Sequence, residues 1–120
     1  METRLGAIET RFADIIWAHA PIKATELTKL AEAELGWKRT TTYTVLKRLC
    51  ERGIFRLCEG ICDIVISKED FFSKKSHDVV RDCFGGSLPA FIAAFTSRKA
   101  LKPNEIEEIE EMIKKMKEGS

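Results

Sequence analysis

The sequence predicts a mainly α-helical fold with one small β-hairpin, an α+β winged helix-turn-helix followed by a helical C-terminal region. Three observations predict it. Apolar residues recur at helical spacing in three segments between Ala7 and Gly53. From Ile54 to Ile66 that spacing gives way to short β-branched and aromatic runs around a glycine. Beyond Ser67 helical spacing returns and lasts almost to the end of the chain. Three helices and then a hairpin is the order of a winged helix, with the hairpin as the wing.

The first helix is expected over about Ala7 to His19. Ile8, Phe12, Ile15, Ile16 and His19 form one stripe with Trp17 beside it, and Glu9, Arg11 and Asp14 lie on the wetter side. Pro21 closes the element, and His19 sits where a helix C-terminus favours a cation. After the extended link Pro21-Ile22-Lys23, a second helix runs from about Ala24 to Leu35 with Leu27, Leu30, Ala31 and Leu35 inward. Gly36 stops it, and the short connection Gly36-Trp37-Lys38 makes this helix and the next a helix-turn-helix pair.

The third helix, at about 38–53, has two faces. Thr42, Val45, Leu46, Leu49 and Cys50 hold the core spacing. Thr40, Tyr43, Thr44, Lys47 and Glu51 fall opposite, flanked by Arg48 and Arg52. Four threonines in one helix are unusual, because β-branched residues lower helix propensity. Between Lys38 and Arg56 six cations face Glu51 alone, in a chain whose net charge is only +1. An outward face that opens with hydroxyls and an aromatic ring and then turns basic suits a DNA major groove. The competing reading is an ordinary solvated basic face. Gly53 ends the helix, since it takes a left-handed conformation without a Cβ clash.

Ile54 to Cys58 and Cys62 to Ile66 are the expected hairpin strands, with Glu59-Gly60-Ile61 as the loop. Ser67 begins a further helix, with Asp70 three residues on, that runs to Phe84 and breaks at Gly85-Gly86. Ser87 caps a shorter helix carrying Leu88, Phe91, Ile92 and Phe95. Pro103 suits the first turn of a last helix. Along that helix Ile106, Ile109, Ile113 and Met116 repeat at 3, 4 and 3 residues, the spacing of a two-helix seam. A partner chain explains such a seam better than docking back on the same domain. The expected division is residues 1–67 as the winged helix and 68–120 as a helical dimerisation region.

Composition sets the remaining bounds. At 120 residues, 44% hydrophobic and 32% charged, the chain is a globular domain and not a disordered one. No apolar run reaches the length of a membrane span, and Met1-Glu2-Thr3-Arg4 lacks a secretory apolar region, so a cytoplasmic location and no membrane partner are expected. In that compartment Cys50, Cys58, Cys62 and Cys83 are thiols. Cys58 and Cys62 fall on opposite hairpin strands and are candidates, with Cys50 nearby, for a thiol switch or a soft-metal site. A single Cys-x-x-x-Cys is a weak metal pattern, and core-filling thiols are the competing reading. Glycine-rich phosphate loops, zinc-protease helices and serine elbows are missing from the sequence, and His77 reads as a surface or interface residue. No enzyme, catalytic residue, cofactor or resident metal is expected.

The assembled pattern resembles the penicillinase-repressor family of bacterial transcription regulators. The residues that carry the resemblance are Leu5-Gly6-Ala7-Ile8-Glu9 with Trp17, then Gly36-Trp37 with Thr41, Tyr43-Thr44, Leu46 and Arg48-Leu49, then Gly53. Phe84-Gly85-Gly86-Ser87-Leu88-Pro89 and the run from Leu101 to Ile109 extend it almost over the whole chain. The resemblance implies a homodimeric repressor that binds a two-fold, palindromic operator in double-stranded DNA, with one recognition helix per half-site. Lys38, Arg39, Thr40, Thr41, Tyr43, Thr44, Lys47 and Arg48 are then the candidate DNA contacts. Phe91 and Phe95 join Ile106, Ile109, Ile113 and Met116 as candidate dimerisation residues. Members cut by a protease are cut at an Asn-Phe bond, where this chain has Ala94-Phe95, and copper-responsive members carry paired Cys-x-Cys near a C-terminus that here has no cysteine. The alternative from another class is a winged-helix protein-interaction module whose basic helix meets an acidic partner. Such a module would show no preferred operator.

Overall fold

The computed structural model of the chain describes residues 5–119. Its elements are α1 (Ala7–His19), β1 (Ile22–Lys23), α2 (Ala24–Leu35), α3 (Arg39–Glu51), β2 (Phe55–Cys58), β3 (Ile61–Ile64), α4 (Lys68–Phe84), α5 (Leu88–Thr96) and α6 (Pro103–Glu118). This is the α+β winged helix, with further helices after the wing. No helix among the described residues is long and apolar enough to cross a membrane. The chain divides into two compact units, one through Asp78 and one from Val79 onward.

In the first unit the three helices bury the faces that their spacing dictates. Phe12, Ala13, Ile15 and Ile16 of α1, Leu27 and Ala31 of α2, and Val45, Leu46 and Leu49 of α3 form one core. Ile8 and His19, expected in the α1 stripe, are exposed instead. Each lies in an end turn of the helix, and the His19 ring closes on the Ile15 carbonyl at 2.9 Å. Gly36 terminates α2 at φ +68°, and the N–H groups of Gly36 and Trp37 return to the Glu32 and Ala31 carbonyls. The turn that follows is held by the Trp37 ring, 5.0 Å from that of Phe12.

The link at Ile22-Lys23 is a strand. It pairs antiparallel with β3, so the sheet has three strands in the order β1-β3-β2. Two residues are too few to show a period, and the pairing depends on contacts almost forty residues away in sequence. The hairpin is also tighter than expected. Glu59 and Gly60 both take positive φ, +50° and +78°, and close the turn in two residues, so Ile61 belongs to β3. Ile54 stays out of the ladder; it is fully buried, and its carbonyl accepts from the N–H groups of Val65 and Ile66.

Glu59 therefore holds a conformation that favours asparagine or glycine. Because an L-residue with a full side chain is strained there, Glu59→Asn is expected to stabilise the first unit by about 0.5–1 kcal/mol. A rise in the urea midpoint with unchanged slope is the result that checks it.

The start of α4 is tied into the same core. The Ser67 hydroxyl caps it by accepting from the Asp70 N–H at 3.1 Å. Phe71 is completely buried, and Trp17 lies with its ring 5.4–5.9 Å from those of Phe55, Phe71 and Phe72. The Trp17 indole N–H donates to the Ile66 carbonyl at 3.1 Å, so the polar edge of this large ring is satisfied where it enters the cluster.

In the second unit, Ser87 caps α5 by accepting from the Ala90 N–H at 3.1 Å, and Pro103 starts α6. The Glu105 carboxylate accepts from the Lys102 N–H at 3.0 Å in the first turn of α6. Phe84, Phe91 and Phe95 form an aromatic row with centroids 5.5 and 6.1 Å apart. No residue of α5 or α6 is buried.

Candidate nucleic-acid interface

The two faces of α3 separate cleanly. Thr42, Val45, Leu46 and Leu49 are buried, which anchors the helix and leaves its other side turned outward. Among the described residues Thr42 is the one buried polar side chain, and its hydroxyl donates to the Lys38 carbonyl at 3.3 Å. Lys38, Arg39, Thr40, Thr41, Thr44, Lys47 and Arg48 are exposed, and Tyr43 is half-buried. These are the eight residues that the sequence singles out, and the fold brings them onto one helix and the turn before it.

Their detailed geometry differs along the helix. Lys38 is the N-cap residue in an extended conformation, so Arg39, Thr40 and Thr41 occupy the first turn, where backbone N–H groups lack helical partners. No acidic residue occupies that turn, which leaves it open to an anion. Arg39 lies over the Tyr43 ring at 5.7 Å from its centroid, which orders a long side chain and still leaves its charge at the surface. The Thr44 hydroxyl donates back to the Thr40 carbonyl at 2.8 Å, so its methyl group is the part left to face outward. Arg48 departs from the rest: its guanidinium is 3.8 Å from the carboxylate of Glu9 on α1, a partner that charge clustering along the sequence did not suggest.

The wing is short and acidic at its tip. Glu59 lies in the turn, and the Asp63 carboxylate accepts from the Ile64 N–H at 2.8 Å. The Gly60 carbonyl accepts from the Ala24 N–H at 2.8 Å, which ties the turn to the start of α2.

Cys58 and Cys62, expected to face one another across the hairpin, are not brought together. The two-residue turn sets Cys58 opposite Ile61 and Cys62 opposite Leu57. Side chains alternate along a strand, so Cys58 points to solvent and Cys62 into the core. Burial pushes the Cys62 thiol up to about 12, with the neighbouring Cys50 and Asp63 adding to the shift. Burial also raises Cys50. Both shifts disfavour the thiolate, the form that acts as nucleophile and metal ligand. Among the described residues no group of three or more His, Cys, Asp or Glu side chains is gathered to hold a metal ion.

In the second unit the candidate dimerisation residues differ in exposure. Phe91 and Ile109 are half-buried, while Phe95, Ile106, Ile113 and Met116 are 62%, 41%, 48% and 66% exposed. Met112, 56% exposed, widens the stripe and was not singled out by the 3-4-3 spacing.

A winged helix whose second helix-turn-helix element turns a cationic, hydroxyl-rich face outward belongs by class with the DNA-binding regulators. Comparison with known proteins agrees: the family model described as penicillinase repressor matches residues 5–115. The chain is also 26% identical over 118 residues to a Bacillus licheniformis protein named penicillinase repressor, covering 95% of this chain and 92% of that one. The chain belongs to the penicillinase repressor family, whose members are DNA-binding transcriptional repressors.

Proposed function

We propose that this protein is a cytoplasmic homodimeric repressor that binds a two-fold operator, each protomer placing α3 in a major groove. The observation that carries this reading is the division of α3 itself, with an apolar half sealed in the core and seven exposed threonine or cationic residues on and just before the other half. Residues 1–67 carry the DNA-reading surface, and residues 68–120 pair two chains, with the start of α4 also completing the core of the first unit. The exposed apolar row on α5 and α6 supports the pairing, because single soluble chains rarely leave such a row uncovered. Two reading helices held in this way enter successive major grooves about one helical turn apart, roughly 34 Å.

The residues divide by role. Arg39, Thr40 and Thr41, at the helix start, reach base edges or a phosphate gripped by the free N–H groups. Tyr43 and Thr44 supply ring and methyl contacts. Lys38, Lys47 and Arg48 meet phosphates, which strengthens binding without reading sequence.

Fluorescence anisotropy against a pool of palindromic duplexes, with a scrambled control and a salt series, tests the reading. Selective binding that weakens steeply with salt is expected. Arg39→Ala should cost about 1–3 kcal/mol and relax selectivity, whereas Lys47→Ala should weaken all duplexes alike and lower the salt slope by about 1. Equal, weak binding to every duplex overturns operator reading in favour of a protein partner for the same face.

A further inference from the structure

We propose that Glu9 is a positioning residue, which holds the Arg48 guanidinium at the junction of α1 and α3 so that its outward N–H groups meet a DNA phosphate. The assignment rests on the reading of α3 as the DNA-contacting helix. It starts from an imbalance in the pair. The Glu9 side chain is only 19% exposed, whereas that of Arg48 is 49% exposed, with 3.8 Å between Glu9 Oε1 and Arg48 Nη1. The second oxygen of Glu9, Oε2, is buried and has no hydrogen-bond partner among the described residues.

A mostly buried carboxylate with an unsatisfied oxygen depends on a nearby cation, so Arg48 is held where it is. Guanidinium is a rigid fork with five donors, and one edge can face a carboxylate while the other faces an anion. Ordering a flexible side chain before binding lowers the entropy lost when the contact forms. Lys47, the neighbouring cation on the same face, has no such partner among the described residues and suits a looser phosphate contact.

A purely structural role is the competing account, because Glu9 lies in the first turn of α1, where an acid favours the helix dipole. The sign of one substitution separates the two. Glu9→Gln adds one unit of positive charge close to the DNA-facing helix, so the field alone predicts tighter binding. Positioning predicts weaker binding.

The experiment is a double-mutant cycle by anisotropy on the preferred duplex, with thermal unfolding by circular dichroism for every variant. Glu9→Gln is expected to weaken binding about three- to tenfold and Arg48→Ala about tenfold, with the double variant no weaker than Arg48→Ala alone. Glu9→Asp keeps the charge but withdraws it by a methylene, so it should weaken binding too, which net charge does not predict. Unchanged or tighter binding in Glu9→Gln, or losses that multiply in the double variant, overturns the assignment. Arg39→Ala runs alongside. Loss of binding there with none in Glu9→Gln overturns the role of Glu9 alone, while no loss in either overturns the reading of α3 and the assignment with it.

Discussion

Phe71→Ala is expected to cost the first unit about 3–5 kcal/mol, the range for removing a fully buried phenylalanine, out of a total stability of about 5–15 kcal/mol. Phe71 is completely buried although it lies beyond the wing, and its ring packs edge-on against Phe72 at 5.3 Å and beside Trp17 at 5.5 Å. Truncation leaves a cavity beneath Trp17, whose indole N–H is held by the Ile66 carbonyl and cannot simply fall inward. Chemical denaturation followed by tryptophan fluorescence measures the loss directly. The same contact predicts that a fragment ending at Ser67 is much less stable than one ending at Asp78, where the first unit ends. Equal stability of the two fragments would show that the aromatic cluster contributes little.

Ile113→Glu is expected to split the proposed dimer and leave each protomer folded. Ile113 is 48% exposed in the chain by itself, so a carboxylate there stays solvated in the monomer. In a paired seam it meets the apolar side chains of a second copy, at a large desolvation cost. Sedimentation should then show a species of half the mass. Affinity for a duplex with two half-sites should fall by about 10²–10⁴, the range over which linkage of two binding modules raises avidity. Affinity for an isolated half-site should not change. A variant that remains dimeric would place the pairing surface elsewhere on the chain.

Much of the molecule is legible before any coordinates are consulted, and the reasons are local. α1 and α2 begin and end where the apolar spacing predicts because Pro21 and Gly36 interrupt the helical pattern. The faces of α3 follow from the 3.6-residue period, which sorts Thr42, Val45, Leu46 and Leu49 from Thr40, Thr44 and Lys47 without reference to any neighbour. The caps at Ser67 and Ser87 are chemistry between residues three apart. Other features were not legible. Ile8 and His19 have the right spacing to be buried, yet the fold leaves both exposed. Met112 lies three residues after Ile109 and four before Met116, so helical spacing also sets it beside the seam, and it is 56% exposed.

By itself, then, the sequence determined the order of helices and hairpin, the division of α3 into a core face and a polar face, and the apolar seam on α6. Each of these depends on periods and short-range capping, which the chain carries along its own length. Tertiary structure alone decided that Ile22-Lys23 becomes a strand, that Phe71 belongs to the core of the winged helix, that Cys58 and Cys62 point to opposite faces, and that Arg48 lies 3.8 Å from Glu9. The pairing of β1 with β3, the burial of Phe71 and the ion pair join residues far apart in the sequence. The separation of the two thiols follows from the positive φ at Glu59, a residue whose chemistry does not announce it. Such contacts come from how faces meet in three dimensions, and a periodic pattern holds no information about the surface on which it will land.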